Sequence, residues 1–86
     1  MAIVTLRYWA AAKEAAGVAE ETVTADTLAG VLEAAGGQDG PDDRLREILA
    51  RSSFLVDGRP VGLRAPEHVA VADGAVIEVL PPFAGG

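Results

Sequence analysis

Eighty-six residues with thirteen acids, seven bases and a net charge of −6 make one small acidic domain, half of it apolar. There is no cysteine, which excludes disulfides, thiolate metal sites and a cysteine nucleophile. The few cations, Lys13 the only lysine among them, argue against nucleic-acid binding, which needs clustered Lys and Arg; an acidic chain is steered toward basic partners instead.

The start, Met1-Ala2-Ile3-Val4-Thr5-Leu6-Arg7, lacks a basic segment ahead of a long apolar run and does not read as a signal peptide. No stretch approaches the roughly 18 apolar residues of a membrane span. A soluble cytoplasmic protein without a membrane partner is the expectation.

Ile3 to Trp9 alternates as a strand, with Val4, Leu6 and Tyr8 on one face and Ile3, Thr5, Arg7 and Trp9 on the other. Ala10 to Ala16 is alanine-rich and reads as a short helix stopped by Gly17. Val18 to Thr24 reads as a second strand, antiparallel to the first because the connector is short. Asp26 is the expected N-cap of the main helix, whose stripe is Leu28, Val31, Leu32 and Ala35 and whose end is Gly36-Gly37. A polar loop follows from Gln38 to Asp42. Arg44 to Arg51 then reads as a second short helix with Leu45, Ile48 and Leu49 inward.

Phe54-Leu55-Val56 is the next strand, Asp57-Gly58 a hairpin turn, and Val61-Gly62-Leu63 the expected return. Pro66 to Ala72 is a connector and Asp73-Gly74 another turn. Val76 to Leu80 is the last strand, ended by Pro81-Pro82, since proline cannot donate to a ladder. The order predicts an α+β domain, a mostly antiparallel sheet packed on one main helix. The first and last strands can lie side by side in parallel, because the chain between them is long enough for a crossover.

No internal catalytic constellation emerges. His68, the one histidine, has no acid-base partner nearby in sequence and reads as a turn or surface residue. Gly36-Gly37-Gln38-Asp39-Gly40 is glycine-rich but follows a helix rather than opening one, unlike a phosphate loop. Asp39, Asp42 and Asp43 lack the spacing and closing glutamate of an EF-hand, so no metal site is expected. What remains is the end of the sequence. Gly85-Gly86 puts a carboxylate on a backbone without side chains, able to enter a slot too narrow for a Cβ. If the chain does chemistry, the Gly86 carboxyl is the reacting group. A frayed end is the bland alternative.

If Leu6, Tyr8, Ile77 and Val79 point toward the helix, then Trp9, Val76 and Leu80 point away. An exposed aromatic-aliphatic patch directly before the tail marks a docking surface.

Three stretches carry a family resemblance. They are Val4 to Ala10 followed by Lys13-Glu14-Ala15-Ala16-Gly17; Val56-Asp57-Gly58, with Asp where Asn is commoner; and Ala72 to Gly86, with its Pro-Pro-x-x-Gly-Gly ending. The chain resembles the small-subunit family of molybdopterin synthase, sulfur carriers with the ubiquitin-like β-grasp fold. The resemblance implies a mixed sheet of about five strands over residues 1–80, with one or two short helices beside the main one, and a flexible tail over 81–86. It implies that a partner activating enzyme uses ATP to adenylate Gly86, that a sulfur donor converts the adenylate to a thiocarboxylate, and that no cofactor stays bound. Pro81, Pro82, Phe83, Ala84 and Gly85 would enter the pocket of a large synthase subunit, where the sulfur passes to a precursor pterin. Trp9, Pro60 and Leu80 match the family's partner contacts. Pro60 rests on the resemblance alone. Carriers for thiamine or tRNA thiolation, ubiquitin-like modifiers and a plain β-grasp interaction module are the competing readings.

Overall fold

The computed structural model describes residues 1–37 and 39–82. Its order is β1 (Ala2–Tyr8), α1 (Ala10–Ala16), β2 (Glu20–Ala25), α2 (Leu28–Ala34), α3 (Asp43–Arg51), β3 (Ser53–Val56), β4 (Arg59–Pro60), a 3₁₀ turn at Pro66–His68 and β5 (Val76–Leu80). The strands form one mixed sheet in the order β2-β1-β5-β3-β4. β1 and β5 are parallel neighbours at its centre, with Tyr8 beside Val79, and the other pairings are antiparallel. This is the expected α+β architecture. The helical layer is shared by three short helices, of which α3 is the longest.

The alternation in β1 decides which face is buried. Val4, Leu6 and Tyr8 are at most 2% exposed and meet Ile77 and Val79 of β5, both fully buried. Leu28 and Val31 from α2 and Leu45 and Leu49 from α3 close over them. Each such side chain contributes about 1.5–3 kcal/mol on burial. No polar or charged residue belongs to the buried set among the described residues.

Several local expectations are corrected. Thr27, not Asp26, caps α2, its hydroxyl accepting from the Gly30 amide at 3.2 Å. Asp26 is engaged elsewhere, where its carboxylate accepts from the Ala2 amide at 3.2 Å. The second strand starts at Glu20 rather than Val18. The hairpin return is Arg59–Pro60, not Val61 to Leu63. Both turn residues have positive φ, Asp57 at 51° and Gly58 at 80°, so the loop takes only two residues and pairing resumes at once. Val61 still donates to the Phe54 carbonyl at 3.0 Å and is buried, but Leu63 is fully exposed.

Both Asp-Gly turns do more than reverse the chain. The Asp57 carboxylate accepts from the Val76 amide at 2.9 Å, and the Asp73 carboxylate accepts from the Ile3 amide at 2.7 Å. Together they hold the beginning of β5 between β3 and β1. The direction in which β5 delivers the residues after Leu80 follows from that.

Candidate functional site

The site grows from the end of the sheet where β1 and β5 finish together. Leu80 is the last residue of β5, paired across to Ser53 of β3. On the other side, the parallel register Tyr8 to Val79 puts Trp9 next to Leu80 one residue further along. Trp9 keeps the extended backbone of the strand, with φ −120° and ψ 150°, although it already stands at the N-cap of α1. Its side chain therefore stays in the β1 alternation, on the face away from the helices, and is 46% exposed.

The turn after Trp9 is sharp. Ala10 has φ 47°, in the left-handed region, a conformation that costs a residue with a Cβ about 1–2 kcal/mol. The Trp9 carbonyl offsets it by accepting from the amides of Ala12 and Lys13 at 3.0 and 3.3 Å. Gly17, with φ 79°, ends the helix and donates to the Lys13 carbonyl at 2.9 Å.

Pro60 reaches the same face by another route. It pairs with Leu55, Leu55 pairs with Glu78, and opposed residues on antiparallel strands share a face. Since Glu78 and Leu80 are two apart in β5, Pro60, Leu55 and Leu80 all lie on the uncovered side. The structure thus brings Trp9, Leu80 and Pro60 onto one face, with Leu80 half-buried and Pro60 exposed. Leu55 is the member that sequence reasoning missed. In the run Phe54-Leu55-Val56 every residue is apolar, so alternation gives no signal, and only the pairing shows that Leu55 faces outward. Arg7 belongs to this face too, 3.3 Å from Glu20 and in register with Glu78.

Pro81 is half-buried and Pro82 exposed as the chain leaves the sheet. Phe83, Ala84, Gly85 and Gly86, the expected reactive end, lie outside the described residues.

On the helical side, the Tyr8 hydroxyl donates to the Glu21 carboxylate at 2.7 Å, which also accepts from the Gly36 amide at 3.1 Å. Burial, then the hydrogen bond and negative charge of Glu21, push the Tyr8 phenol well above its usual range. This contact ties the loop after α2 to the sheet. Gly36 suits the position, since it has φ 86° and an added Cβ would lie 3.1 Å from the Gly40 carbonyl. A shallow cavity of about 440 Å³ lies between α2 and α3, walled by Leu32, Leu49, Phe54 and Pro66 with Arg46 at its edge. Among the described residues its lining has no histidine, serine, cysteine or lysine, and its acids are Glu33 and Asp39. His68 is exposed, as expected. Among the described residues no group of acids and histidines could hold a metal ion, and no helix is long and apolar enough to cross a membrane.

Comparison with known proteins gives this geometry a family. The sequence pattern of the ThiS family matches residues 6–86. The chain belongs to the ThiS family. It is a ubiquitin-like domain of the sulfur-carrier type. No curated protein matches it. Among solved structures, the small archaeal modifier protein 1 of Methanosarcina acetivorans superposes with a TM-score of 0.75 at 20% identity, over 100% of this chain and 98% of that one. A candidate molybdopterin converting factor subunit 1 from Pyrococcus furiosus gives 0.69 at 20% identity, over 96% and 100%. A chain from the complex of subunits 1 and 2 of the Helicobacter pylori molybdopterin-converting factor gives 0.65 at 22% identity, over 98% and 99%. At these identities the likeness establishes the ubiquitin-like β-grasp fold.

Proposed function

We propose that this ThiS-family chain is the sulfur-donating small subunit of molybdopterin synthase. The observation that carries the reading is the arrangement at the end of β5. An outward patch of Trp9, Leu80, Leu55 and Pro60 lies directly beside the point where Pro81-Pro82 leads to the Gly-Gly end. In this reading an activating enzyme transfers AMP from ATP to the Gly86 carboxylate. A sulfur donor then displaces AMP and leaves a thiocarboxylate. The patch docks on a large subunit, the tail enters that subunit's pocket, and the sulfur passes to a precursor pterin.

The tail fits each step. Six residues from Pro81 to Gly86 reach at most about 20 Å when extended. Pro81 and Pro82 stiffen its base and lower the ordering cost of insertion. Gly85 and Gly86 keep the reacting end thin. Two relatives of the same fold support the molybdopterin assignment by their descriptions, one of them a complex with a second subunit.

A second reading, protein modification, is favoured by the likeness to an archaeal modifier protein. Thiamine or tRNA thiolation is the remaining carrier role. Intact mass of the protein from its native host separates a carrier from a plain interaction module, because a carrier shows oxygen-to-sulfur exchange at Gly86. Deleting Gly86 should abolish ATP-dependent activation while leaving the circular-dichroism spectrum unchanged. Co-purification of a thiazole-forming enzyme with no pterin-handling partner would overturn the molybdopterin assignment.

A further inference from the structure

Leu63 is the most exposed large apolar side chain among the described residues, and the loop that carries it is braced. The Arg64 guanidinium donates to the Val61 carbonyl at 3.0 Å and to the Pro60 carbonyl at 3.4 Å, and Gly62 turns the chain with φ 66°. The Val61 amide fastens the start of the loop to the Phe54 carbonyl at 3.0 Å. A single surface leucine is ordinary. One held out by a braced loop loses little backbone freedom on docking, which suits a binding anchor. Its setting is basic as well. Arg59 and Arg64 flank it and no acid lies between Arg59 and Pro66, in a chain of net charge −6.

The cavity between α2 and α3 is the complement of this knob. Leu32, Leu49, Phe54 and Pro66 make apolar walls, the acids are Glu33 and Asp39, and the volume of about 440 Å³ accommodates a leucine side chain. Arg46 at its edge is turned to the Pro41 carbonyl, 3.2 Å away. Leu63 does not fill the cavity of its own chain, since it is fully exposed and lies outside the lining. Pro66, three residues on, is nevertheless one of the walls, so knob and hole lie within about 11 Å along the chain.

That adjacency decides the kind of partner. A knob and a hole far apart on one surface build open chains of molecules. Side by side, both can be satisfied across a two-fold axis, each copy giving its knob to the other. The geometry points to a symmetric dimer of this chain, in which Leu63 of each copy enters the α2–α3 cavity of the other and Arg59 and Arg64 meet the acids Glu33 and Asp39 at its rim. One anchor per copy makes a weak dimer, of the class of small transient interfaces. The inference does not rest on the carrier reading.

Sedimentation equilibrium of the full chain over a concentration series tests it. A monomer–dimer equilibrium is expected, with no larger species. Leu63→Asp removes both anchors at an exposed position, so it should weaken dimerisation by about tenfold or more and leave Tm unchanged. Ala50→Arg, which fills the cavity from an exposed position on α3, should do the same. Glu33→Arg should also weaken the dimer, although it lowers the net negative charge and eases general repulsion between copies. The chain has no cysteine, so Leu63→Cys mixed with Ala50→Cys under mild oxidation reports the pairing directly. The expected product is a disulfide joining position 63 of one copy to position 50 of the other. A chain that stays monomeric up to millimolar concentration would overturn the inference, as would a dimer indifferent to Leu63→Asp or association that continues beyond two copies. So would a small apolar molecule that native mass spectrometry finds bound and that Ala50→Arg displaces, or a Leu63→Asp effect confined to binding of a different, co-purified protein.

Discussion

On β1 and β5 the residues turned toward the helices are Ala2, Val4, Leu6, Tyr8, Ile77 and Val79, none more than 7% exposed. Those turned the other way are Ile3, Thr5, Arg7, Val76, Glu78 and Leu80, every one partly or largely exposed. The same strands with the same period make both faces. The difference is that three helices cover one side, where a charge would have to shed its water without a partner. The other side mixes Trp9, Leu80 and Pro60 with the Arg7–Glu20 pair, a composition suited to a surface that is covered only part of the time. One face holds the fold together, and the other is free to be read by another protein.

The largest expected effect breaks the covered face. Ile77→Ala should cost about 2–5 kcal/mol in urea unfolding, the range for emptying a buried aliphatic position. Val76→Ala, one residue away and turned outward, should cost well under half of that. Equal losses would mean that the two faces do not differ in packing.

The second prediction tests the polar end of the same face. The folded protein keeps the Tyr8 proton that the unfolded chain releases at about pH 10. The unfolded state then binds fewer protons, so this contribution to stability is intact below that pH and is lost as pH rises beyond it. In Tyr8→Phe that part of the alkaline slope should disappear from a series of unfolding curves.

The third turns to the bare face. Trp9→Ala or Leu80→Glu should weaken binding to a co-purified partner by about tenfold or more, as measured by titration calorimetry, and shift Tm by only a few degrees. A large loss of Tm with normal binding would make these side chains part of the core. The smallest effect is expected at a helix end. Thr27→Ala should cost about 1 kcal/mol, while Asp26→Ala leaves the cap of α2 untouched and loosens the start of β1 instead.

Much of the fold was legible because it rests on local rules. The helix from Ala10 to Ala16 was readable from its alanines and Gly17, and the inward set Leu45, Ile48 and Leu49 from helical spacing. Where the sequence misled, a longer-range contact had intervened. Asp26 has the chemistry of a cap, but its carboxylate was claimed by the Ala2 amide, 24 positions earlier. Val61 to Leu63 looks like a strand by residue type, but Asp57 and Gly58 at positive φ brought the return forward to Arg59.

The candidate site divides in the same way. The sequence by itself determined the alternation that turns Trp9 and Leu80 outward, the prolines that end β5 and the glycines at the end of the tail. These depend on side-chain period and residue type, which act over a few positions. Only the tertiary structure decided that Trp9 stands beside Leu80 and that Leu55 and Pro60 join them. Trp9, Leu55 and Pro60 stand 71, 25 and 20 positions from Leu80 along the chain, and the parallel pairing of β1 with β5 and the antiparallel pairings of β3 with β5 and β4 bring them together. Strand pairing is a choice among partners that local periodicity does not rank, and it is settled by which arrangement lets the helices bury one whole face of the sheet.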